Sequence, residues 1–341
     1  MKLTEYDYNL PEGFIAQEPV TPRDSSKLMV LNKEEKTIEN KHFYDIINYL
    51  KKGDLLVMNS TKVIPARLMG KKKTGGFAEI FLLNRIDINN WECLVRPGRR
   101  LKEGTKVYFG KDKLVATIIK RKENGNRIVE FEYEGIFEEI LDELGEMPLP
   151  PYIKTELKEK GRYQTVYAQK GESVAAPTAG LHFTKELLEK IKEKGVEIAE
   201  VFLEVGLGTF RPVKTENVLD HEMHEEKYEV PEEAAEKINR AKKEGRRVVA
   251  VGTTSVRTLE AASKKKNEII AKKDSTKIFI YPGYEFKIVD AIITNFHLPK
   301  STLIMLISAF ADKEFVFKAY EKAIEDKYRF FSFGDAMFIH K

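Results

Sequence analysis

Five short runs of alternating apolar and polar residues decide much of this chain's fold: FAEIFLL (Phe77–Leu83), WECLVRP (Trp91–Pro97), TKVYFG (Thr105–Gly110), KLVATII (Lys113–Ile119) and RIVEFEY (Arg127–Tyr133). Turn-forming pairs such as Pro97-Gly98 and Asn124-Gly125 separate the runs. Alternation with a period of two, broken by turns at this spacing, is typical of antiparallel strands. We therefore predict a small antiparallel β-barrel in this part of the chain.

The residues on either side of the barrel segment follow a different pattern. Three prolines, Pro148, Pro150 and Pro151, mark its end because proline continues neither helix nor sheet. Helical patterns then occur at Lys185–Lys194, Pro231–Glu244, Ser255–Ser263 and Lys313–Lys327. Strand-like runs lie at Asp54–Met58, Val196–Val205, Arg246–Val251, Lys277–Ile280 and Val289–Thr294. Alternating strands and helices predict a layered α/β larger domain, residues 1–65 and 151–341, with the β-barrel domain inserted as residues 66–150.

Composition narrows the class of protein. The 341 residues are 42% apolar and 33% charged, as expected for a water-soluble globular protein. The single cysteine, Cys93, excludes an intrachain disulfide and suits a reducing compartment. The first ten residues are too charged for a signal peptide, and the longest apolar run, Leu303–Ala311, is about half the ~20 residues that span a bilayer. We expect a cytoplasmic protein.

Charge is distributed unevenly along the chain. The formal net charge is only +4, but Arg67 to Tyr133 holds sixteen Lys and Arg against eight Asp and Glu. Such asymmetry favours contact between the barrel and a polyanion, although a merely solvated basic surface explains it equally well.

Two segments resemble known ligand-binding motifs, but neither has all the residues that its motif requires. Gly206 and Gly208 follow a strand, but Phe210 replaces the third glycine of a dinucleotide loop and Pro212 interrupts the helix that must follow. This argues against a dinucleotide-binding or methyltransferase loop. His221 and His224 are three residues apart rather than the four that a helical zinc motif requires, so we predict no metal site.

Three polar segments lie at the ends of predicted strands or just before predicted helices. Val251–Arg257 runs from a strand through Gly252 and three hydroxyl residues to a guanidinium, an arrangement suited to a carboxylate or other anion. Ala175–Phe183 and Asn295–Ser301 each combine small or polar residues with one histidine. An ordinary helix cap and buried, hydrogen-bonded histidines are the competing explanations.

Taken together, these and further strings resemble one family from end to end, the S-adenosylmethionine:tRNA ribosyltransferase-isomerases of the queuosine pathway. The strings that carry the resemblance are Arg23–Leu28, Asn59–Arg67, Arg96–Gly98, Met147–Ile153, Tyr163–Ala168, Ala175–Phe183, Val205–Val213, Gly252–Glu260, Phe279–Gly283, Thr294–Ser301 and Phe330–Met337.

The resemblance implies a specific reaction. The ribosyl part of S-adenosylmethionine passes to 7-aminomethyl-7-deazaguanine at the tRNA wobble position, adenine and methionine leave, and epoxyqueuosine results. It also implies a monomer with an α/β domain and a β-barrel, and no cofactor, since S-adenosylmethionine is consumed as a substrate. The alternatives are an S-adenosylmethionine-dependent RNA methyltransferase and a non-catalytic RNA-binding protein.

This chemistry needs a general base beside the sulfonium-activated ribose carbon and a proton for the departing adenine. The candidate bases are His182 or His297, with Asp24, Glu204 and Asp335 as rivals. The donor's carboxylate is expected near Arg257 or Arg211. The other candidate substrate-binding residues are Thr178, Thr253, Thr254, Ser255 and Asn295, with Tyr281 or Phe296 to stack on adenine.

The candidate tRNA contacts are cations of the barrel segment. They are Lys71, Lys72, Lys73, Arg99, Arg100, Lys120 and Arg121. Contacts of this kind with phosphates make binding strongly salt-dependent.

Overall fold

The computed structural model describes residues 1–206, 213 and 215–341. They divide into two compact units. The first unit comprises Met1–Lys62, Pro151–Gly171 and Ala176–Lys341, and the second comprises Val63–Pro150 and Glu172–Ala175.

The described residues form strands and helices with the following bounds. The strands are β1 (Lys27–Asn32), β2 (Thr37–His42), β3 (Leu55–Asn59), β4 (Thr61–Val63), β5 (Arg67–Lys71), β6 (Phe77–Arg85), β7 (Asn90–Arg96), β8 (Lys106–Phe109), β9 (Leu114–Arg121), β10 (Arg127–Tyr133), β11 (Gly145–Glu146), β12 (Lys170–Ser173), β13 (Glu197–Leu203), β14 (Glu226–Val230), β15 (Val248–Val251), β16 (Ser263–Lys265), β17 (Glu268–Ile269), β18 (Lys272–Thr276), β19 (Ala291–Asn295) and β20 (Ala336–His340). The α-helices are α1 (Ile46–Tyr49), α2 (Phe137–Leu144), α3 (Lys185–Glu193), α4 (Glu232–Lys243), α5 (Gly252–Ala262), α6 (Thr302–Ala311) and α7 (Lys313–Glu325).

The first unit is built on a sheet of nine described strands in the order β18-β14-β13-β3-β15-β19-β20-β1-β2. Its four central strands, β13, β3, β15 and β19, run parallel. Strand β20 is antiparallel to β19, and β1 is parallel to β20. As a result, the carboxyl ends of the four central strands and the amino ends of β20 and β1 lie along one edge of the sheet. In open α/β sheets, ligands bind beyond this edge.

Alternate residues of the central strands bury one face of the sheet. Leu56 and Met58 of β3, and Val249 and Val251 of β15, pack in one cluster with Ile191 of α3. This period of two is the one at which strand side chains share a face. Helices α4 and α5 contact β3, β13 and β15 but contribute no residue to this cluster, so they cover the opposite face. The sheet is thus layered between helices.

The second unit holds a closed antiparallel barrel of six strands, β5-β6-β7-β10-β9-β8, in which β8 pairs again with β5. Because neighbouring strands alternate in direction, the connections β5–β6, β7–β8 and β9–β10 all lie at one end of the barrel. Helix α2 follows β10 at the other end, where Phe137 packs against Phe131 with ring centroids 5.3 Å apart.

The predicted fold class is confirmed, as are the helices at residues 185, 231, 255 and 313, whose observed bounds lie within a few residues of those predicted. Thr184 caps α3 as its sequence position suggests, by accepting a hydrogen bond from the Leu187 amide at 3.1 Å. The strand predicted at Lys277–Ile280 is wrong, because the strand lies at β18 and residues 277–280 are irregular. An edge strand such as β18 exposes its polar residues and lacks apolar alternation. The charged stretch after α5 forms the hairpin β16–β17.

Candidate active site

A cleft opens at the edge of the sheet where the central strands end. It is lined by residues 176–179, by the first turn of α5, by residues 294–298 after β19, and by Phe331 and Ser332 before β20. It holds about 690 Å³ of empty space when the open solvent at its mouth is counted.

The described lining of this cleft is uncharged. Among the described residues that line it there is no Asp, Glu, Lys or Arg, and its titratable groups are His297 and Tyr152. Burial lowers the pKa of His297 to about 3, and burial raises the pKa of Tyr152 to about 12, so both are neutral near pH 7. The cleft therefore favours a ligand group that is neutral, or one whose charge is balanced by another charge of the same ligand.

The start of α5 forms one wall. Gly252 has φ of +83°, a conformation that side chains with a Cβ rarely adopt, and this allows the strand to turn directly into the helix. Among the residues that the structure describes, no side chain caps the helix and none hydrogen-bonds to the buried hydroxyl of Thr254. Thr253 and Thr254 line the cleft, whereas the hydroxyl of Ser255 donates to the Val251 carbonyl at 2.7 Å. Two of the three predicted hydroxyl residues therefore face the cleft.

His297 forms part of another wall. Its Nε2 lies 2.9 Å from the Thr294 hydroxyl, and its backbone is fixed by hydrogen bonds with the phenols of Tyr320 and Tyr8. No described residue hydrogen-bonds to its Nδ1. The ring thus has one nitrogen held by the protein and one available to a ligand.

His182 has a different role in the structure. Its Nδ1 lies 2.7 Å from the Ser26 hydroxyl and its Nε2 lies 3.2 Å from the Asn295 amide nitrogen, so both ring nitrogens are occupied. It does not line the cleft, and its ring stacks on Phe43 at 4.9 Å. Burial, with the charge of Arg329, lowers the pKa of His182 to about 3.

Tyr152, Phe331 and Ser332 complete the cleft and were missed by the sequence analysis. The Tyr152 phenol lies 2.8 Å from the Ser332 hydroxyl, and its ring centroid lies 5.0 Å from that of Phe331. Phe331 has φ of +70°, unusual for a residue with a bulky side chain. All three lie within Met147–Ile153 and Phe330–Met337, two of the strings that carry the family resemblance. That resemblance was the signal by which the sequence could have identified them.

The chain was compared with known proteins. A family model described as "Queuosine biosynthesis protein" matches residues 3–339.

The chain belongs to this family.

Relatives within the family match it over nearly their whole length. It is 61% identical to the S-adenosylmethionine:tRNA ribosyltransferase-isomerase of Fusobacterium nucleatum over 339 residues, covering 99% of this chain and 97% of that protein. It is 58% identical to the enzyme of the same name from Clostridioides difficile over 340 residues, covering 99% and 100%. The crystal structure of S-adenosylmethionine tRNA ribosyltransferase from Thermotoga maritima matches with a TM-score of 0.56 and 44% identity, covering 98% and 99%.

The anion site predicted in this family member near Arg257 has a buried counter-ion. Arg257 pairs with Glu226, the first residue of β14, and both are buried. No residue in the described part of the chain hydrogen-bonds to the Nε or Nη2 atom of Arg257, yet Arg257 does not line the cleft. Arg211, the alternative, lies outside the described residues.

The three carboxylates proposed as rival bases lie apart from the cleft. Glu204 lines a second groove, with Lys170, Lys227 and Glu229. Asp335 is buried and accepts hydrogen bonds from the Lys27 amide at 3.0 Å and the Arg329 amide at 2.7 Å, which tie β1 to the segment before β20. Asp24 lies 3.5 Å from the Thr184 hydroxyl.

Of the remaining candidate substrate-binding residues, some line the cleft and others do not. Thr178 and Asn295 line the cleft. Phe296 also lines it, but its ring is fully buried among Tyr320, Tyr328 and Phe330, as in a core. Tyr281 does not line it and packs against Phe279 with centroids 5.1 Å apart.

In the second unit, the seven predicted RNA-contacting cations lie at the barrel end that carries connections β5–β6, β7–β8 and β9–β10. Six of them are exposed, and Lys72 is partly buried. None forms an ion pair with a carboxylate of the described chain, whereas Lys106, Lys113 and Lys122 do. The topology thus brings together three short basic segments that are distant in sequence.

Among the described residues, no group of three or more His, Cys, Asp or Glu side chains is arranged to hold a metal ion. None of the helices described has the length and apolarity that crossing a bilayer requires.

Proposed function

We propose that this protein is an S-adenosylmethionine:tRNA ribosyltransferase-isomerase. It transfers and isomerises the ribosyl part of S-adenosylmethionine onto 7-aminomethyl-7-deazaguanine at the wobble position of tRNA. Adenine and methionine leave, and the product is epoxyqueuosine-tRNA. The observation that carries the proposal is the 55–61% identity to enzymes of this name across essentially the whole chain.

In this proposal the donor's nucleoside binds in the uncharged cleft. Small residues there, such as Ala176, Ala179 and Gly252, let a ligand approach the backbone, and Phe331 supplies an aromatic surface. The sulfonium carries the donor's own positive charge, so the protein needs no cation in the cleft to activate it.

His297 is the group we assign to proton transfer. It is the one proposed base that lines the cleft, and burial keeps it neutral with a lone pair available. Its available nitrogen can take a proton from the ribose carbon beside sulfur. The departing adenine requires a proton, and His297 in the same cleft is placed to return it.

The basic end of the barrel is the surface we assign to tRNA phosphates. Its seven cations carry no carboxylate partner in the described chain, so they are available to a polyanion. Contacts with phosphates would position the anticodon but would not select its sequence.

The reaction so defined needs no metal or cofactor, and we propose that a monomer carries it out in the cytoplasm. Turnover unaffected by a chelator, and one protomer in sedimentation with tRNA, are the expected results.

Chromatography of the products tests the proposed activity. Purified protein, S-adenosylmethionine and tRNA carrying 7-aminomethyl-7-deazaguanine should yield adenine and methionine in equal amounts. S-adenosylhomocysteine would instead indicate a methyltransferase, and no product would indicate an RNA-binding protein.

A further inference from the structure

The side-chain amide of Asn295 is held in one orientation at the edge of the cleft. Its Nδ2 lies 3.0 Å from the Phe331 carbonyl oxygen, to which it donates, and 3.2 Å from Nε2 of His182. These two contacts use both amide hydrogens. Rotating the amide by half a turn would bring its oxygen against the Phe331 carbonyl, so the orientation is fixed.

The consequence is a buried acceptor that the protein leaves unused. Asn295 is 3% exposed and lines the cleft, and no described residue hydrogen-bonds to its Oδ1. A buried acceptor in this position needs an N–H or O–H donor, which a ligand bound in the cleft can supply.

His182 determines which way the amide faces. To accept from Asn295, its Nε2 must be unprotonated, so Nδ1 carries the hydrogen and donates to the Ser26 hydroxyl at 2.7 Å. The ring is held against Phe43 and is buried, which disfavours the doubly protonated form. An imidazolium would present a second N–H to Asn295 and would favour the reversed amide.

The uncharged lining indicates what kind of donor completes the site. An ammonium group buried against the described lining residues would have no counter-charge, which is costly, whereas a neutral amine needs only the hydrogen bond. The neighbouring rings of Phe331 and Tyr152 suit a planar, neutral heterocycle.

We propose that Asn295 Oδ1 accepts a hydrogen bond from the exocyclic amine of the donor's purine ring, and that His182 is the positioning residue that orients it. This inference rests on the proposed function, since it takes S-adenosylmethionine as the ligand. It makes Asn295 a specificity determinant for an amino-substituted purine.

Calorimetric binding to the intact protein tests the assignment of Asn295. The probes are S-adenosylmethionine, its analogue without the purine amine, and its analogue without the methionine α-amine. The wild type should bind the first analogue roughly 10- to 100-fold more weakly than the parent. In Asn295→Leu this ratio should fall to near one, while the ratio for the α-amine analogue stays unchanged.

Two results would overturn the assignment. One is an unchanged purine-amine ratio in Asn295→Leu. The other is a collapse of the α-amine ratio in its place, which would put the ammonium at Oδ1. If the wild type releases adenine and methionine from the donor in either case, the proposed function stands and only this inference fails.

The positioning role of His182 has its own readouts. His182→Gln keeps an acceptor and a donor and should retain most of the discrimination against the deaminated purine, whereas His182→Leu should lose it. Long-range ¹H–¹⁵N NMR measures the protonation state of His182 in the wild type itself. The variant His182→Gln is used only to assign the His182 signals. The wild-type spectrum should show His182 neutral and protonated on Nδ1 from pH 5 to 8, and an Nε2-protonated ring would contradict the proposal.

Discussion

At the scale of single residues, His297 and His182 differ in what their rings reach. His297 lines the cleft and has one ring nitrogen unengaged, whereas both nitrogens of His182 are bonded within the protein. We expect His297→Asn to lower the rate constant for adenine release by 10²-fold or more, the range typical of general acid–base groups. Single-turnover measurements at saturating donor compare the rate constant of the variant with that of the wild type.

The matched control is His182→Gln, which preserves the polar contacts of its site. Its rate constant at saturating donor should lie within a few-fold of the wild type. Near-wild-type turnover by His297→Asn would remove His297 from the mechanism.

The same two histidines make folding sensitive to mild acid. Their pKa values are about 3 in the folded protein and about 6.5 in the unfolded chain, so the unfolded state takes up their protons first as the pH falls. Their contribution to stability is complete above pH 6.5 and declines from there towards pH 3. Each histidine should lower the free energy of unfolding by about 2 kcal/mol when the pH falls from 7 to 5.

Urea denaturation at the two pH values measures this effect. The decrease should be about 2 kcal/mol smaller in His182→Gln, and likewise in His297→Asn, than in the wild type. If both variants show the pH dependence of the wild type, neither histidine is buried in its neutral form.

Sequence reasoning at this scale found part of the cleft. Thr178, Thr253, Thr254, Asn295 and His297 line it as proposed, because they follow strands or precede helices at one edge. Which side chains turn outward depends on packing that the sequence does not show. Ser255 bonds to its own helix, Asp335 ties two segments together, and Glu204 lines the other groove.

At the scale of elements, the barrel places its basic connections at one end. Arg99→Glu with Arg100→Glu should raise the KM for tRNA at least tenfold at moderate salt and flatten its salt dependence. The affinity for S-adenosylmethionine should not change, since neither residue is among the described residues that line the cleft.

Lys264→Glu with Lys265→Glu is the control for this prediction. These residues lie in strand β16 of the first unit, where both pair with Glu268, and the change in charge is equal. Equal increases in KM from the two pairs would show that the effect reflects net charge alone and that the basic end is not the tRNA surface.

The elements themselves were predictable where a period was clear. Amphipathic helices such as α3 and α4 and the barrel strands were found because one face is buried and the other solvated. Strands β1, β14 and β20 and helix α6 have no predicted counterpart. Helix α6 and strand β20 are apolar on nearly all sides, so their sequences show no period.

At the scale of the whole molecule, the topology explains why distant strings form one site. Residues 23–26, 252–254, 294–298 and 331–335 adjoin strands whose directions bring them all to one edge of the sheet. Strand order and direction could not be read from the sequence, since they depend on which strands pair. The resemblance to the family identified these strings as important but not their arrangement.

A crystal structure of the protein soaked with S-adenosylmethionine tests the central claim most directly. The account predicts density for the nucleoside in the cleft beside Gly252 and His297, with the purine amine within hydrogen-bonding distance of Asn295 Oδ1. A nucleoside bound instead in the groove beside Glu204, with this cleft unoccupied, would contradict it.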